Sequence, residues 1–174
     1  MSALAACIHA AALIYGLNPA VIPAIISTEG GRQGMAIRNQ NGSTDYGLMQ
    51  VNSSHVPQLS RLGYTPDVLR YNDCANVMVG TWIYASCLKN TGDLYSAAAC
   101  YNAGSRPWIA WQSGYVARFA QNMGLPIPPG AAFPTETGMS WPKTAFLPRN
   151  SRTPTEQIKL QTAMVFTSAG SNLP

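Results

Sequence analysis

Apolar residues recur at helical spacing through the first 125 residues and predict a mostly helical domain. A first helix is indicated by one apolar face, made of Leu4, Cys7, Ile8, Ala11 and Tyr15. Residues 74–90 are apolar almost all round, which is typical of a helix at the buried centre of a domain. Gly80 within this stretch would allow a neighbouring segment to pack closely.

Capping and stop residues set the expected ends of the other helices. Asn18-Pro19 would begin the second helix, in which Pro23 would remove one backbone hydrogen bond and bend the axis. The remaining predictions are a short helix capped by Ser53 or Ser54 and ending at Gly63, the central helix capped by Asn72 or Asp73, a helix from Asp93 through Ala103, and a last helix from about Gly114 to Met123.

Two regions lack helical period. Residues 31–52 are polar and rich in Gly and Asn, which favours a loop or a small irregular hairpin. From Pro126 onward the chain holds eight of its 13 prolines. We therefore predict one globular domain over residues 1–125 and a Pro-rich tail over residues 126–174, extended or disordered, with a short helix possible at 155–165.

Composition excludes several functional classes. Charged residues make up only 10% of the chain, and the net charge of +4 comes from basic residues that are scattered singly, so nucleic acid is not an expected partner. No apolar stretch reaches the roughly 18 residues of a membrane span. Residues 3–15 are apolar but follow no positive region, so we interpret them as the first helix and expect any leader to lie outside this chain.

The four cysteines predict two disulfides and an oxidising compartment, with four buried free thiols as the alternative. Cys87 and Cys100 flank the turn of one helical hairpin and would pair. Cys74 and Cys87 share a helix at about 20 Å separation and cannot pair, which leaves Cys7 for Cys74. Their spacing, like that of the two histidines, does not suit a metal site, and we expect neither metal nor cofactor.

Glu29 is the first candidate for chemistry. It continues the apolar stripe of Ile22, Ile25 and Ile26 and directly precedes Gly30-Gly31, a helix stop. Partial burial and the negative end of a helix dipole would both raise the pKa of its carboxyl, as a general acid requires. The alternative is a helix-end glutamate that bends into water.

Three segments in order resemble the lytic transglycosylases of the soluble, goose-lysozyme-like family. They are Thr28-Glu29-Gly30-Gly31, then Gly47-Leu48-Met49-Gln50-Val51-Asn52, then Cys100-Tyr101-Asn102-Ala103-Gly104. The resemblance covers about residues 4–122 and is nearest to the small members found with type III and type IV secretion systems and pili. It implies a lysozyme-like fold of the α+β superfamily and a monomer that acts on peptidoglycan strands in the bacterial periplasm, with secretion or pilus components as further partners.

The resemblance also implies roles for single residues. Glu29 would protonate the leaving oxygen of the β-1,4 bond between N-acetylmuramic acid and N-acetylglucosamine, then accept a proton as a 1,6-anhydro ring closes. The implied substrate-binding residues are Tyr46, Met49, Gln50, Tyr101 and Asn102, with Asp45 as a possible second catalytic carboxylate.

Each assignment has a structural alternative. Asp45 would otherwise cap a turn, Gln50 would bond to loop backbone, Met49 and Tyr101 would be core residues, and Asn102 would cap a helix. Trp108 and Trp111 are candidate sugar platforms, although ordinary packing is the stronger interpretation, and His55 is expected at the surface or at a helix start.

One departure from the family pattern bears on activity. Gly30 stands where relatives have a serine that orients the catalytic carboxyl, which leaves Glu29 weaker or differently supported. The alternatives to a lytic transglycosylase are therefore a hydrolytic muramidase and a weakly active or non-catalytic glycan-binding assembly factor.

Overall fold

A computed structural model describes residues 2–131 as one mostly helical domain with a small antiparallel sheet. The helices and strands are α1 (Ala3–Tyr15), α2 (Val21–Glu29), β1 (Ala36–Arg38), β2 (Thr44–Tyr46), β3 (Val51–Asn52), α3 (Val56–Leu59), α4 (Pro66–Tyr71), α5 (Asp73–Thr91), α6 (Leu94–Ala103), α7 (Pro107–Gln112) and α8 (Tyr115–Asn122). Short 3₁₀ turns precede and follow α3.

Helix α5 lies at the centre, as its apolar pattern predicts. Nine of its 19 residues are buried, and it packs against α1, α4 and α6. An ideal Cβ at Gly80 would lie 2.6 Å from Met49 Sδ and 2.8 Å from Met49 Cβ. Gly80 therefore admits the loop that carries Met49 against the central helix, and the predicted close approach is confirmed.

The sheet has the order β1-β2-β3 and forms the small irregular region expected over residues 31–52. Ala36 pairs with Tyr46 and Tyr46 with Val51, so β2 is the central strand. Gly31 lies so close to the Gly47 and Leu48 carbonyl oxygens that no side chain fits there. This contact brings the C-terminal end of α2 against the loop between β2 and β3.

Both predicted disulfides are present. Cys7 is bonded to Cys74 with a Cα–Cα distance of 5.4 Å, and Cys87 to Cys100 with 5.8 Å. The first ties α1 to the start of α5, and the second closes the α5–α6 hairpin. The alternative of four free thiols is wrong.

The predicted start of α2 at Asn18-Pro19 and the predicted loss of a hydrogen bond at Pro23 are both wrong, because α2 begins later than expected. Asn18 Oδ1 accepts the Ala20 N–H at 2.9 Å, but it caps a turn, and the helix begins only at Val21. Pro23 is consequently the third residue of α2 and lies in the first turn, where its missing N–H has no helical partner to lose. Pro23 thus removes no helical hydrogen bond from the helix that carries Glu29.

Other local predictions also need correction. Asn52, and not Ser53 or Ser54, caps the turn before α3, because its Oδ1 accepts the Ser54 N–H at 2.9 Å. Ser53 Oγ instead accepts the Thr44 N–H. The two six-residue helices α4 and α7 were not predicted, since each begins at a proline and is too short to show helical period.

The first residues after 125 pack on the domain. Tyr95 Oη donates to the Pro126 carbonyl at 2.9 Å, and Ala131 is fully buried in the core. The globular part thus continues at least to Ala131, beyond the expected boundary. The rest of the expected tail, with the possible helix at 155–165, lies outside the described residues. Among residues 2–131, no helix has the length and hydropathy of a transmembrane segment.

Candidate active site

Glu29 ends α2 and is held inside the domain. Gly30 follows it in the left-handed conformation, with φ of 65°, and its N–H donates to Ile26 O. Ile22 and Ile25 on the same face are fully buried, while Glu29 is partly buried. The alternative of a side chain bent into water is wrong, because Glu29 Oε1 accepts a 2.6 Å hydrogen bond from Tyr115 Oη.

Tyr115 was not predicted from the sequence. It is the first residue of α8, only 2% exposed, and α8 packs against α2. The contact with Glu29 spans 86 residues, so no local motif marks it. The available signal was weak: the predicted last helix carries a tyrosine at its start, and a buried phenol needs a polar partner.

Burial raises the pKa of the Glu29 carboxyl to about 7. The nearby Asp45 charge also raises the Glu29 pKa. The Tyr115 hydrogen bond, which stabilises the carboxylate, and the positive charge of Arg118 both lower it. The sequence therefore identified burial correctly as a cause. A carboxyl with this pKa exchanges its proton near neutral pH, as a group acting first as acid and then as base requires.

Asn76 organises the loop after β2. This side chain on α5 is fully buried, and its Nδ2 donates to Tyr46 O at 2.7 Å and Leu69 O at 2.8 Å. Its Oδ1 accepts the Met49 N–H at 2.8 Å. Asn76 was not predicted from the sequence, although a polar residue inside an apolar helix was the available signal.

Gln50 adopts φ of 48° and is the only non-glycine residue with positive φ among the described residues. Its Nε2 donates to Gly47 O at 2.7 Å, which is the structural alternative proposed for it. The side chain nevertheless lines the groove beside Glu29. Strained backbone at such a position is typical of functional sites.

Tyr101 lies near Glu29 but does not bond to it. Its Oη donates to Met49 O at 2.6 Å, so it supports the loop between β2 and β3. Burial raises the pKa of Tyr101 well above its ordinary value, and the Glu29 charge adds to this. Tyr115, and not Tyr101, donates a hydrogen bond to the Glu29 carboxyl.

Asp45 lies on β2 within a polar network. Its Oδ1 accepts from Asn52 Nδ2 at 2.6 Å, and its Oδ2 accepts from Asn39 Nδ2 at 2.8 Å. It lines the groove and contributes to the raised pKa of Glu29. The expected alternative, a cap of a turn, is wrong, since Asp45 bonds to side chains across the sheet.

These residues border an open groove of about 880 Å³ between the sheet and the α5–α6 hairpin. The predicted site residues that line it are Glu29, Asp45, Gln50, Tyr101 and Asn102. Met49 is fully buried against Gly80, and Tyr46 does not line the groove either. For Met49 the alternative of a core residue is confirmed, and contact of Tyr46 with substrate stays a prediction.

The groove wall holds further residues. His55 directly precedes α3, which confirms the predicted helix-start position. It lines the groove with its ring edge-on to Trp82 at 6.1 Å, and burial lowers the His55 pKa. Trp108 is 39% exposed, while Trp111 packs against the core; neither lines the groove, although Ile109 between them does.

Comparison with known proteins decides the family. The family model described as the Transglycosylase SLT domain matches residues 6–123, more than half of the chain. The chain belongs to this SLT transglycosylase family. The match ends one residue beyond α8, so it includes every residue described above as lining the groove.

Individual proteins agree with membership of the SLT family. The chain is 35% identical to invasion protein IagB of Salmonella typhimurium (strain SL1344) over 107 residues, 61% of this chain and 67% of that protein. It is 32% identical to protein IpgF of Shigella flexneri over 94 residues, 53% and 62% of the two chains. A peptidoglycan-binding-like protein of Escherichia coli O157:H7 is 33% identical over 110 residues, 59% and 66% of the two chains.

Proposed function

We propose that this chain is a lytic transglycosylase that cleaves the β-1,4 bond between N-acetylmuramic acid and N-acetylglucosamine in peptidoglycan. One observation carries the proposal: Glu29 is a partly buried carboxyl with a pKa of about 7, bonded to Tyr115 inside an open groove. The SLT family model supports the substrate class.

Glu29 acts in both halves of the reaction. As the neutral acid it donates its proton to the leaving glycosidic oxygen, and the N-acetyl group of the muramic residue stabilises the anomeric carbon. As the carboxylate it then takes the proton of the 6-hydroxyl, whose oxygen attacks the anomeric carbon and closes the 1,6-anhydro ring. Protons balance over the cycle, and no water is consumed.

Tyr115 orients the catalytic carboxyl, the role that the serine after the glutamate is expected to have in relatives. It fixes one carboxyl oxygen, Oε1, and leaves Oε2 for the substrate. Its hydrogen bond also favours the carboxylate and so stabilises Glu29 after it has given up its proton. The loss of the serine at Gly30 therefore leaves Glu29 supported, in a different way.

Asp45 modifies the site through its charge. Both its oxygens already accept asparagine hydrogen bonds, and it raises the Glu29 pKa. We assign proton transfer to Glu29 alone. A hydrolytic muramidase would instead need Asp45, or a water held near it, to act at the anomeric carbon.

The biological setting belongs to the same proposal. Relatives bear the names invasion protein and peptidoglycan-binding-like protein. We propose that the chain opens the cell wall locally in the periplasm, so that a secretion or pilus apparatus can cross it, with components of that apparatus as partners.

Product analysis tests the chemistry. Purified murein is digested in ¹⁸O-labelled water, and the soluble fragments are measured by mass spectrometry. A lytic transglycosylase gives anhydromuramyl ends, one water lighter than hydrolysed ends and free of label. Labelled reducing ends would show a muramidase instead.

The Glu29→Gln variant tests the third possibility, a glycan-binding assembly factor. Gln keeps an oxygen that can accept from Tyr115, but it has no proton to transfer. We expect both murein cleavage and assembly of the apparatus to be lost. Assembly that survives while cleavage is lost would show that binding alone suffices.

A further inference from the structure

One rim of the groove carries a cation that no described residue neutralises. Arg106 lies in the loop between α6 and α7, is exposed and lines the groove. Its backbone N–H donates to Ala103 O at 3.0 Å, but within residues 2–131 its guanidinium has neither a hydrogen-bond partner nor an ion pair. The loop is therefore positioned while the charged group stays available.

Arg106 is separate from the electrostatics of the catalytic carboxyl. The charges that shift the Glu29 pKa are Asp45 and Arg118, and Arg106 is not among them. Within the part of the chain that the structure describes, Arg106 is also the only Lys or Arg that lines the groove. The groove thus has two acidic residues, Glu29 and Asp45, and among the described residues a single Arg or Lys in its wall.

An apolar residue lies close to Arg106 in the chain. Ile109, in the first turn of α7, is 38% exposed and lines the groove. A ligand that suits this rim has a carboxylate next to aliphatic carbon. In peptidoglycan, the lactyl group on the 3-oxygen of muramic acid has this character where it carries no peptide, whereas N-acetylglucosamine has no carboxylate.

We propose that Arg106, with the adjoining Ile109 side chain, binds a carboxylate carried by the lactyl substituent of the muramic residue. The inference rests on the proposed function, since it takes peptidoglycan as the substrate. The carboxylate has two sources: the lactyl group itself where the peptide has been removed, or the attached peptide. A guanidinium binds either by two parallel N–H···O bonds.

The experiment measures binding in the Glu29→Gln background, so that no ligand is consumed. Calorimetry compares three soluble ligands: a chitooligosaccharide without carboxylates, glycan strands stripped of peptide by an amidase, and strands that keep their peptides. Arg106→Gln removes the charge, and Arg106→Lys keeps it without the planar guanidinium. Arg61→Gln is the matched control, because Arg61 is exposed and lies outside the groove.

Arg106→Gln should weaken binding of a carboxylated ligand by roughly three- to fivefold at low salt and leave chitooligosaccharide binding unchanged. Raising the ionic strength should weaken binding by the Glu29→Gln protein that keeps Arg106 to a similar extent, and should not weaken binding by the Arg106→Gln protein further. The affinity of Arg106→Lys for carboxylated ligands should lie between those of the protein with Arg106 and of Arg106→Gln. Arg61→Gln should bind as tightly as the protein with Arg106. If the stripped strands lose affinity, the bound carboxylate is that of the lactyl group. If only the peptide-bearing strands lose affinity, the bound carboxylate belongs to the peptide.

Two results would overturn the proposal. An equal loss for all three ligands would show that Arg106 supports the loop and recognises no charge, and no loss for any would show that it does not contact substrate. The proposed function fails separately, if wild-type protein releases no fragments from murein while the variants still differ in affinity. If no glycan binds even with Arg106 in place, both proposals are wrong.

Discussion

Tyr115 Oη lies 2.6 Å from Glu29 Oε1 and joins the first turn of α8 to the last residue of α2. The bond connects a group whose pKa is raised by burial to the phenol that partly offsets this rise. It also fixes the position of a carboxyl that is followed by Gly30, which contributes no side chain. We therefore regard Tyr115 as the positioning residue of this site.

Tyr115→Phe should slow the reaction and shift its pH dependence. Without the donor the carboxylate is less stable, so the Glu29 pKa rises and the alkaline limb of the kcat/KM profile moves to higher pH. We expect kcat to fall by about five- to tenfold, the equivalent of one hydrogen bond of about 1 kcal/mol. Rates of murein solubilisation between pH 5 and 9 measure both effects.

Tyr95→Phe is the matched control for this variant. It also removes one phenolic hydrogen bond, here to Pro126 O, but it lies outside the groove. Its pH profile should equal that of the wild type. A Tyr115→Phe enzyme with lower kcat and an unmoved alkaline limb would show that the phenol only packs beside Glu29.

Glu29→Gln should make the stability of the protein less sensitive to pH. Burial raises the Glu29 pKa from 4.5 to about 7, so the folded state holds this proton more tightly than the unfolded chain does. Wild-type stability from this group is complete below pH 4.5 and is lost as pH rises through 7. The variant should become more stable than the wild type by up to about 3 kcal/mol above pH 7.

Urea denaturation of both proteins at steps from pH 4 to pH 8 measures this difference. It should be constant below pH 4.5, widen between pH 4.5 and 7, and then level off. Asp67→Asn, at an exposed position in the first turn of α4, controls for the loss of one negative charge. Parallel stability curves for wild type and Glu29→Gln would mean that the carboxyl is solvated.

The central parts of the fold were predictable because their signals are local. An all-round apolar run marks α5, Asn72 caps it, and Gly92 ends it. The position of Glu29 within an apolar stripe likewise indicated its burial. The contacts that were not predicted join segments far apart in the sequence. They are the hydrogen bond from Tyr115 to Glu29 and the hydrogen bond from the Tyr101 hydroxyl to Met49 O.

Asn76→Ala should be strongly destabilising. It would leave Tyr46 O, Leu69 O and the Met49 N–H without their present partner at a fully buried position. We expect a loss of about 3–5 kcal/mol in the free energy of unfolding, measured in urea. Asn122→Ala, which removes one exposed bond to Thr28 Oγ1, should cost less than about 1 kcal/mol. Equal losses would show that Asn76 does not organise the loop.

The two disulfides should differ in their contribution to stability because they close loops of different length. Cys7–Cys74 spans 67 residues and Cys87–Cys100 spans 13. Chain entropy assigns them about 4 and about 3 kcal/mol respectively, so the Cys7→Ser/Cys74→Ser variant should unfold at lower urea than Cys87→Ser/Cys100→Ser. Where both variants remain folded, Cys87→Ser/Cys100→Ser should lose more activity than Cys7→Ser/Cys74→Ser, because Cys87 and Cys100 line the groove and Cys100 precedes Tyr101. If the short loop proved the more stabilising, the strong packing of α5 on α1 would already hold the first helix without its covalent link.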